Sequence, residues 1–284
     1  MSVTVAEALR AAAARLTEAG VPDAARDARR LMAEALRVSP DRLTLMASDG
    51  LTGEAGDRLE AMIVARSARH PVSRIFGRRA FWGRDFTVTP DVLDPRPETE
   101  ILIERALAGP APRRFLDLGT GSGAILVTLL AEWPEARGIG TDMSDAALIV
   151  AAGNARRHGV EGRADFRRAD WFDGTCGQFD LIVSNPPYIP EAEISGLAPE
   201  VRLYEPVMAL SPGPEGLEAC RRIAHGLARA LVPGGRALIE IGAGQGESAR
   251  AVFEAAGAGP VMLHPDLDGR DRVVEIRRVE CDST

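Results

Sequence analysis

From Arg113 onward short apolar runs alternate with helical segments, and that rhythm leaves few folds open. The runs fall at residues 115–118, 138–141, 164–167, 181–184, 237–241, 261–264 and 272–276. Strands that alternate with helices join into a parallel sheet covered on both faces, because each helix carries the chain back to the same end. The last two runs follow one another with no room for a helix, so the final strand is predicted antiparallel. The expectation is an α/β fold with a doubly wound, seven-stranded, mostly parallel sheet.

Residues 1–70 read as all-helical. Val5, Leu9, Ala12, Ala13 and Leu16 recur at helical spacing until Gly20-Val21-Pro22 interrupts them. A second helix carries Ala28, Leu31, Met32, Ala35 and Leu36 on one face. Ser39-Pro40 has the form of a cap followed by a first-turn proline, which predicts a short third helix. Leu59, Met62, Ile63 and Arg66 mark a fourth that stops before Pro71. Helices this short do not hold alone in water and are expected to pack as a small bundle. Phe81-Trp82-Gly83-Arg84-Asp85-Phe86 then reads as a hairpin turning near Gly83. The expected organisation is a helical domain over 1–70, a hairpin and linker over 71–96, and a sheet domain over 97–284.

Charge narrows the partners. The chain carries 34 basic residues, every one arginine, against 41 acidic ones, for a net charge of −7. That balance weighs against a nucleic-acid partner, although a local patch is still compatible with it. Cys176, Cys220 and Cys281 are few, far apart and without metal-ligand spacing, and the four histidines are equally scattered. Neither a disulfide framework nor a metal site is expected. No stretch approaches the ~20 apolar residues of a membrane helix, and the start of the chain lacks a signal core. A soluble, cytoplasmic protein is expected.

Asp117-Leu118-Gly119-Thr120-Gly121-Ser122-Gly123 closes the first strand of the sheet and opens a helix. Glycines there allow a tight turn and a close approach of backbone to ligand. The spacing Gly119-x-Gly121-x-x-Ala124 also fits a nicotinamide-dinucleotide loop. Asp117 tilts the balance, because a carboxylate repels a pyrophosphate and favours the cationic amino group of a methionine moiety. Asp142, at the end of the second strand, suits both hydroxyls of a ribose, or caps the helix that follows. Asp170-Trp171 follows the third strand, where the indole can pack on adenine and Asp170 can accept from its amine. The alternative is a core tryptophan beside Phe172. Together these residues predict S-adenosylmethionine as cofactor.

Asn185-Pro186-Pro187-Tyr188 comes directly after the fourth strand, at the carboxyl edge where open parallel sheets bind ligands. Prolines have no N–H, so Pro186 and Pro187 offer carbonyl acceptors only. Asn185 adds a side-chain carbonyl, and the proline after it holds its backbone extended. A rigid cluster of acceptors matches an NH2 group with two donors, as in a carboxamide or an adenine. Such a nitrogen is a poor nucleophile, and acceptors on its hydrogens stabilise the charge that develops as a methyl arrives. Tyr188 is expected to lay its ring on the flat target group.

These segments, with Pro95-Arg96-Pro97-Glu98-Thr99-Glu100, Glu200-Val201-Arg202, Tyr204-Glu205-Pro206 and Gly269-Arg270-Asp271-Arg272, resemble the peptide chain release factor glutamine N5-methyltransferases. The resemblance covers nearly the whole chain, most loosely in the helical part. It implies a Rossmann-like class I methyltransferase acting on the glutamine of the Gly-Gly-Gln motif of bacterial release factors. It implies cofactor contacts from Gly119, Thr120, Gly121, Ser122, Gly123, Asp142, Trp171 and Asn185, to which the reading of the residues adds Asp117 and Asp170. Asn185, Pro186 and Tyr188 are the expected catalytic residues, and Pro187, Arg96 and Glu98 join them around the substrate. The N-terminal bundle is expected to help hold the release factor, and the enzyme to act as a monomer without nucleic acid. Asp94 departs from the family, where an apolar residue precedes Pro95. Arg202 and Glu205 either order a loop over the bound peptide or pair on the surface, and Gly234-Gly235 is expected to be a turn into the fifth strand. The rivals are a ribosomal-protein glutamine methyltransferase, a nucleic-acid adenine or guanine N-methyltransferase, and a dinucleotide-dependent dehydrogenase. A non-catalytic binding module is the remotest of the alternatives.

Overall fold

The computed structural model describes residues 3–257 and 259–279, so Cys281 lies outside the described residues. The chain divides into two compact units, Met1–Gly77 with Ala198–Tyr204, and Arg78–Leu197 with Glu205–Thr284.

The first unit contains helices α1 (Val5–Glu18), α2 (Ala24–Leu36), α3 (Gly53–Ser67) and α4 (Val72–Phe76). A reciprocal cap starts α1: Thr4 Oγ1 accepts from the Glu7 amide, and Glu7 Oε2 accepts from the Thr4 amide at 2.9 Å. Val5 and Leu16 pack with Ala28, Leu31 and Met32 of α2 and Leu59 and Ile63 of α3. The expected third helix is instead a five-residue 3-10 turn, Pro40–Thr44, and Ser39 makes no side-chain cap. A segment this short closes i→i+3 bonds without reaching the α-helical ladder. The helical part also runs past residue 70, because Pro71 caps α4 rather than ending the bundle.

The excursion Ala198–Tyr204 is fastened to this unit by charge. Arg66, only 5% exposed, binds Asp27 Oδ2 through Nε at 2.7 Å and Glu200 Oε1 through Nη1 at 2.9 Å. Arg69 reaches the other oxygen of Glu200 at 2.8 Å, and Tyr204 Oη donates to the Ala68 carbonyl at 2.6 Å. Two guanidiniums thus neutralise two carboxylates, the condition under which buried charge is tolerated.

In the second unit β1 (Arg78–Phe81) and β2 (Arg84–Thr87) form the expected hairpin. Its turn, Trp82-Gly83, takes positive φ at both residues, which matches the twist of the flanking strands. There follow α5 (Glu100–Leu107), β3 (Arg114–Leu118), α6 (Ala124–Glu132), β4 (Arg137–Asp142), α7 (Asp145–Arg157), β5 (Ala164–Arg168) and β6 (Phe179–Ser184). After α8 (Pro199–Tyr204), which is the excursion, come α9 (Glu218–Ala230), β7 (Leu231–Glu240), α10 (Gly246–Ala255), β8 (Val261–Pro265) and β9 (Asp271–Arg277).

The seven strands run in the order β5-β4-β3-β6-β7-β9-β8, with β9 antiparallel to both neighbours. Strand order reverses at β3 and β6, which opens a crevice at their carboxyl ends. Side chains alternate between two cores: Leu181 and Val183 face α5 and α6 on one side, while Ile182 faces α9 on the other. Gly234-Gly235 is not a turn before β7 but a bulge within it. Phe179 pairs Leu231 and Leu181 pairs Arg236, so the strand carries surplus residues there, and Gly234 absorbs them at φ 76°.

Candidate active site

A cavity of about 500 Å³ lies within the second unit, where β3, β4, β5 and β6 end. Gly119, Thr120, Gly121 and Ser122 form its floor, with Asp142, Asp170 and Trp171 along one side. Arg96, Thr99, Asn185 and Pro187 line it as well.

The glycine loop is shaped from below. Thr120 donates to the Thr141 carbonyl through its amide at 2.8 Å and to Asp117 Oδ2 through its hydroxyl at 2.6 Å. Its side chain lies over β4 because residue 140 is glycine: a Cβ there would stand 2.9 Å from Thr120 Oγ1. Gly123 starts α6 at φ 77°, a left-handed backbone that favours glycine, and a Cβ there would stand 3.1 Å from that of Ala151 on α7.

Asp142 Oδ2 accepts from the Gly121 amide and Oδ1 from the Ser144 amide, both at 2.9 Å. The helix cap proper is Ser144, whose hydroxyl accepts from the Ala147 amide. Asp142 therefore holds the loop and the start of α7 together while its remaining lone pairs face the cavity. Trp171 sits at φ 57°, a left-handed backbone rare for a bulky residue, and presents its half-buried ring to the cavity while packing on the Phe172 side of the core. Asp170 pairs with Arg222 through Oδ2, and its buried Oδ1 has no partner.

Not every expected residue lines the space. Asp117 is fully buried beneath the loop, and Gly123, Pro186, Tyr188 and Glu98 are also outside the cavity wall. Burial pushes the Asp117 carboxyl up to about 7, against the pull of hydrogen bonds from Thr120 and the Leu126 backbone; the charge of Asp142 adds to the rise. The Tyr188 ring, expected on the target group, turns inward, with its hydroxyl 3.5 Å from Glu240 Oε1. Burial and the charge of Glu240 raise its phenol well above the ordinary range. Glu98 is exposed at the surface.

Asn185 enters directly from β6 and donates through Nδ2 to Thr99 Oγ1 at 3.0 Å. Arg96 meets Glu205 Oε1 at 3.2 Å, and Glu205 Oε2 accepts from the Asp94 amide at 3.3 Å. Glu205 thus takes Arg96 as partner rather than Arg202, and Asp94 is buried with it. Three contributors were not singled out in the sequence: Thr99 only as part of the Pro95–Glu100 segment, Glu240 and Asn154 not at all. Thr99 and Glu240 lie behind Asn185 and Tyr188, and Asn154 of α7 donates to the Ser122 carbonyl at 2.9 Å.

The donor set fits S-adenosylmethionine. The cavity offers a glycine-loop backbone, a ribose-type carboxylate, an aromatic face, and in Asp170 Oδ1 an unpartnered acceptor suited to an exocyclic amine. Among the described residues no group of His, Cys, Asp or Glu could hold a metal ion, and no helix is long and apolar enough to cross a membrane. Cys176 is exposed; Cys220 is buried, its thiol pushed up to about 12 by burial.

Residues 7–77 match the family model of the PrmC N-terminal domain, and residues 92–202 that of the methyltransferase small domain. The chain is 58% identical to the release factor glutamine methyltransferase of Cereibacter sphaeroides, over 96% of this chain and 98% of that protein. The protein of the same name from Caulobacter vibrioides is 43% identical over 96% of each. A methyltransferase from Pyrococcus furiosus shares the fold at a TM-score of 0.53 and 17% identity, covering 78% of this chain and 98% of that one. With relatives this similar over nearly their full length, the chain belongs to the release factor glutamine methyltransferase family and is an S-adenosylmethionine-dependent methyltransferase.

Proposed function

We propose that this enzyme methylates the N5 side-chain amide of the glutamine in the Gly-Gly-Gln motif of bacterial peptide chain release factors. The observation that carries the reading is the orientation of Asn185. One N–H of its Nδ2 is given to Thr99, an orientation that turns Oδ1 the other way to accept from a substrate NH2. The Pro186 carbonyl is the second acceptor in this reading: Pro186 itself lies outside the cavity wall, but neither proline brings a competing donor beside Asn185. S-adenosylmethionine bound in the cavity would supply an electrophilic methyl, its bond to sulfur breaking as the bond to the nitrogen forms.

The protein's share is orientation. Two acceptors on the NH2 fix the nitrogen in line and stabilise the positive charge that grows on it, and such positioning is worth about 7–11 kcal/mol. No ionised base is needed beforehand, because the proton leaves the nitrogen after transfer. Gly119, Thr120, Gly121, Ser122, Asp142, Asp170 and Trp171 hold the cofactor; Asp117 and Gly123 act from beneath the loop. Arg96 and Pro187 face the acceptor, Tyr188 stiffens the motif from behind, and Glu98 meets the incoming protein at the surface. The helical unit helps hold the release factor, and the enzyme works as a cytoplasmic monomer without nucleic acid.

Mass spectrometry of purified release factor incubated with enzyme and S-adenosylmethionine tests this. One added methyl on the Gly-Gly-Gln glutamine, lost in Asn185→Ala, is the expected result. Labelling of a ribosomal protein, DNA or rRNA in place of the release factor would overturn it.

A further inference from the structure

A run of chain that offers acceptors has trouble holding itself still. Pro186 and Pro187 have no N–H, so neither can tether itself by donating to a neighbouring strand. The donors that fix the run must come from outside it. Tyr188, the next residue, is where one arrives: its carbonyl accepts from Gln245 Nε2 at 2.9 Å. The amide of the same peptide, Ile189 N–H, donates to the Leu210 carbonyl at 3.0 Å. That peptide plane is held at both edges.

Gln245 occupies the N-cap position of α10, in the loop after β7. Glutamine is a poor capping residue, and its side chain makes no cap bond here. The amide turns back across the loop instead. Its Oε1 accepts from the Gly242 amide at 2.9 Å, and Nε2 reaches the Gly216 carbonyl at 3.4 Å as well as that of Tyr188. Two N–H groups and one oxygen thus meet two carbonyls and one amide, so the side chain fits one way round; turned over, its oxygen would face both carbonyls. Glycine keeps the space open on both sides. A Cβ on Gly242 would stand 2.8 Å from Gln245 Oε1, and one on Gly216 would stand 2.6 Å from the Tyr188 carbonyl oxygen. At its other end the acceptor run leaves the sheet at Ser184, which is paired with Leu118 and Ile239. Between that pairing and the Gln245 bond lie two prolines whose rings fix φ, which leaves little freedom in where Asn185 and the Pro186 carbonyl point.

We propose that Gln245 is a positioning residue for methyl transfer: by holding the Tyr188 peptide it keeps the Asn185 side chain and the Pro186 carbonyl aimed at the substrate NH2. This role rests on the reading that Asn185 and Pro186 receive that NH2. Gln245 is not part of the cavity wall, so its loss is expected in turnover and not in cofactor binding.

The test measures kcat and KM for transfer to purified release factor. Calorimetry with S-adenosylmethionine gives the affinity and the number of binding sites, so that rates refer to folded enzyme. Gln245→Glu keeps the shape and the acceptor for the Gly242 amide but removes both donors. Gln245→Met fills the same space with neither donor nor strong acceptor. Both are expected to lower kcat by at least about tenfold, the worth of one hydrogen bond, with KM and cofactor affinity unchanged. The two side chains are of one length, so either reads the donors where the other does not fold. Wild-type kcat in Gln245→Glu, with Asn185→Ala inactive, would overturn the proposal and leave the functional reading intact. A fall in cofactor affinity as large as the fall in rate would overturn it equally. An active Asn185→Ala would instead remove the functional reading on which it rests.

Discussion

Asn154 and Thr87 are joined by two hydrogen bonds: Asn154 Oδ1 accepts from the Thr87 amide at 2.8 Å, and Nδ2 donates to the Thr87 carbonyl at 3.0 Å. The same Nδ2 also serves the Ser122 carbonyl. One buried amide on α7 thereby ties the β1–β2 hairpin to the glycine loop. Asn154→Ala strands three backbone groups in the interior, and a loss of about 2–4 kcal/mol is expected in urea unfolding. A midpoint within error of wild type would show the tie to be redundant.

Asp142 bridges two backbone amides across the cavity edge, so its removal should loosen the loop as well as any sugar held there. For Asp142→Asn, weakening of S-adenosylmethionine binding by about 10- to 100-fold is expected in calorimetry, the range of one or two charge-assisted hydrogen bonds. Retained affinity would assign the carboxylate a capping role only.

The sign of the Asp117 effect follows from a carboxyl raised from 3.8 to about 7. The native state prefers the protonated form, so this contribution to stability is complete below about pH 4 and is lost as pH rises through about 7. Asp117→Asn without cofactor should therefore gain melting temperature over wild type at pH 8 and lose that advantage toward pH 4. The gain corresponds to on the order of 3 kcal/mol at most, since Thr120 loses a charged partner. Melting curves across pH decide it: an advantage that grows toward acid would reverse the assignment.

Gly109 follows α5, whose last carbonyls are bound by the buried guanidinium of Arg236: Arg105 O at 3.0 Å, and Ala106 O beside it. A Cβ on Gly109 would overlap that guanidinium. Gly109→Ala should cost about 2 kcal/mol, although its backbone conformation suits alanine. Chemical denaturation reads the loss, and an unchanged midpoint would mean that Arg236 swings aside freely.

The central strands β3, β6 and β7 were legible because they cross the buried middle of a sheet covered on both faces, where most side chains must be apolar. The edge strands β5 and β8 have no buried residue and were placed by the alternation with helices. The glycine loop and Asn185-Pro186-Pro187 were legible for another reason. The roles proposed for them need backbone freedom or missing donors, and only a few residue types supply either. Tyr188 shows the limit: local sequence marks an aromatic after Asn185-Pro186-Pro187, but not that its ring turns inward until its hydroxyl is 3.5 Å from Glu240, 52 positions away. Glu240 gave no signal, since one acid at the end of an apolar run looks like any strand terminus. Ser39 misled because a cap-like residue before proline can start a 3-10 turn as readily as an α-helix.

The excursion Ala198–Tyr204 complicates any view of this enzyme as two modules in tandem. The chain passes from the sheet unit into the helical one and returns at Glu205, so separating them takes breaks at three places rather than one. A chain begun at Arg78 would carry Glu200 without Arg66 or Arg69, and Tyr204 without the Ala68 carbonyl. The helical part is therefore no removable attachment. It is the anchorage of the segment Ala198–Tyr204, and substitutions at Arg66 bear on Glu200 from 134 positions away.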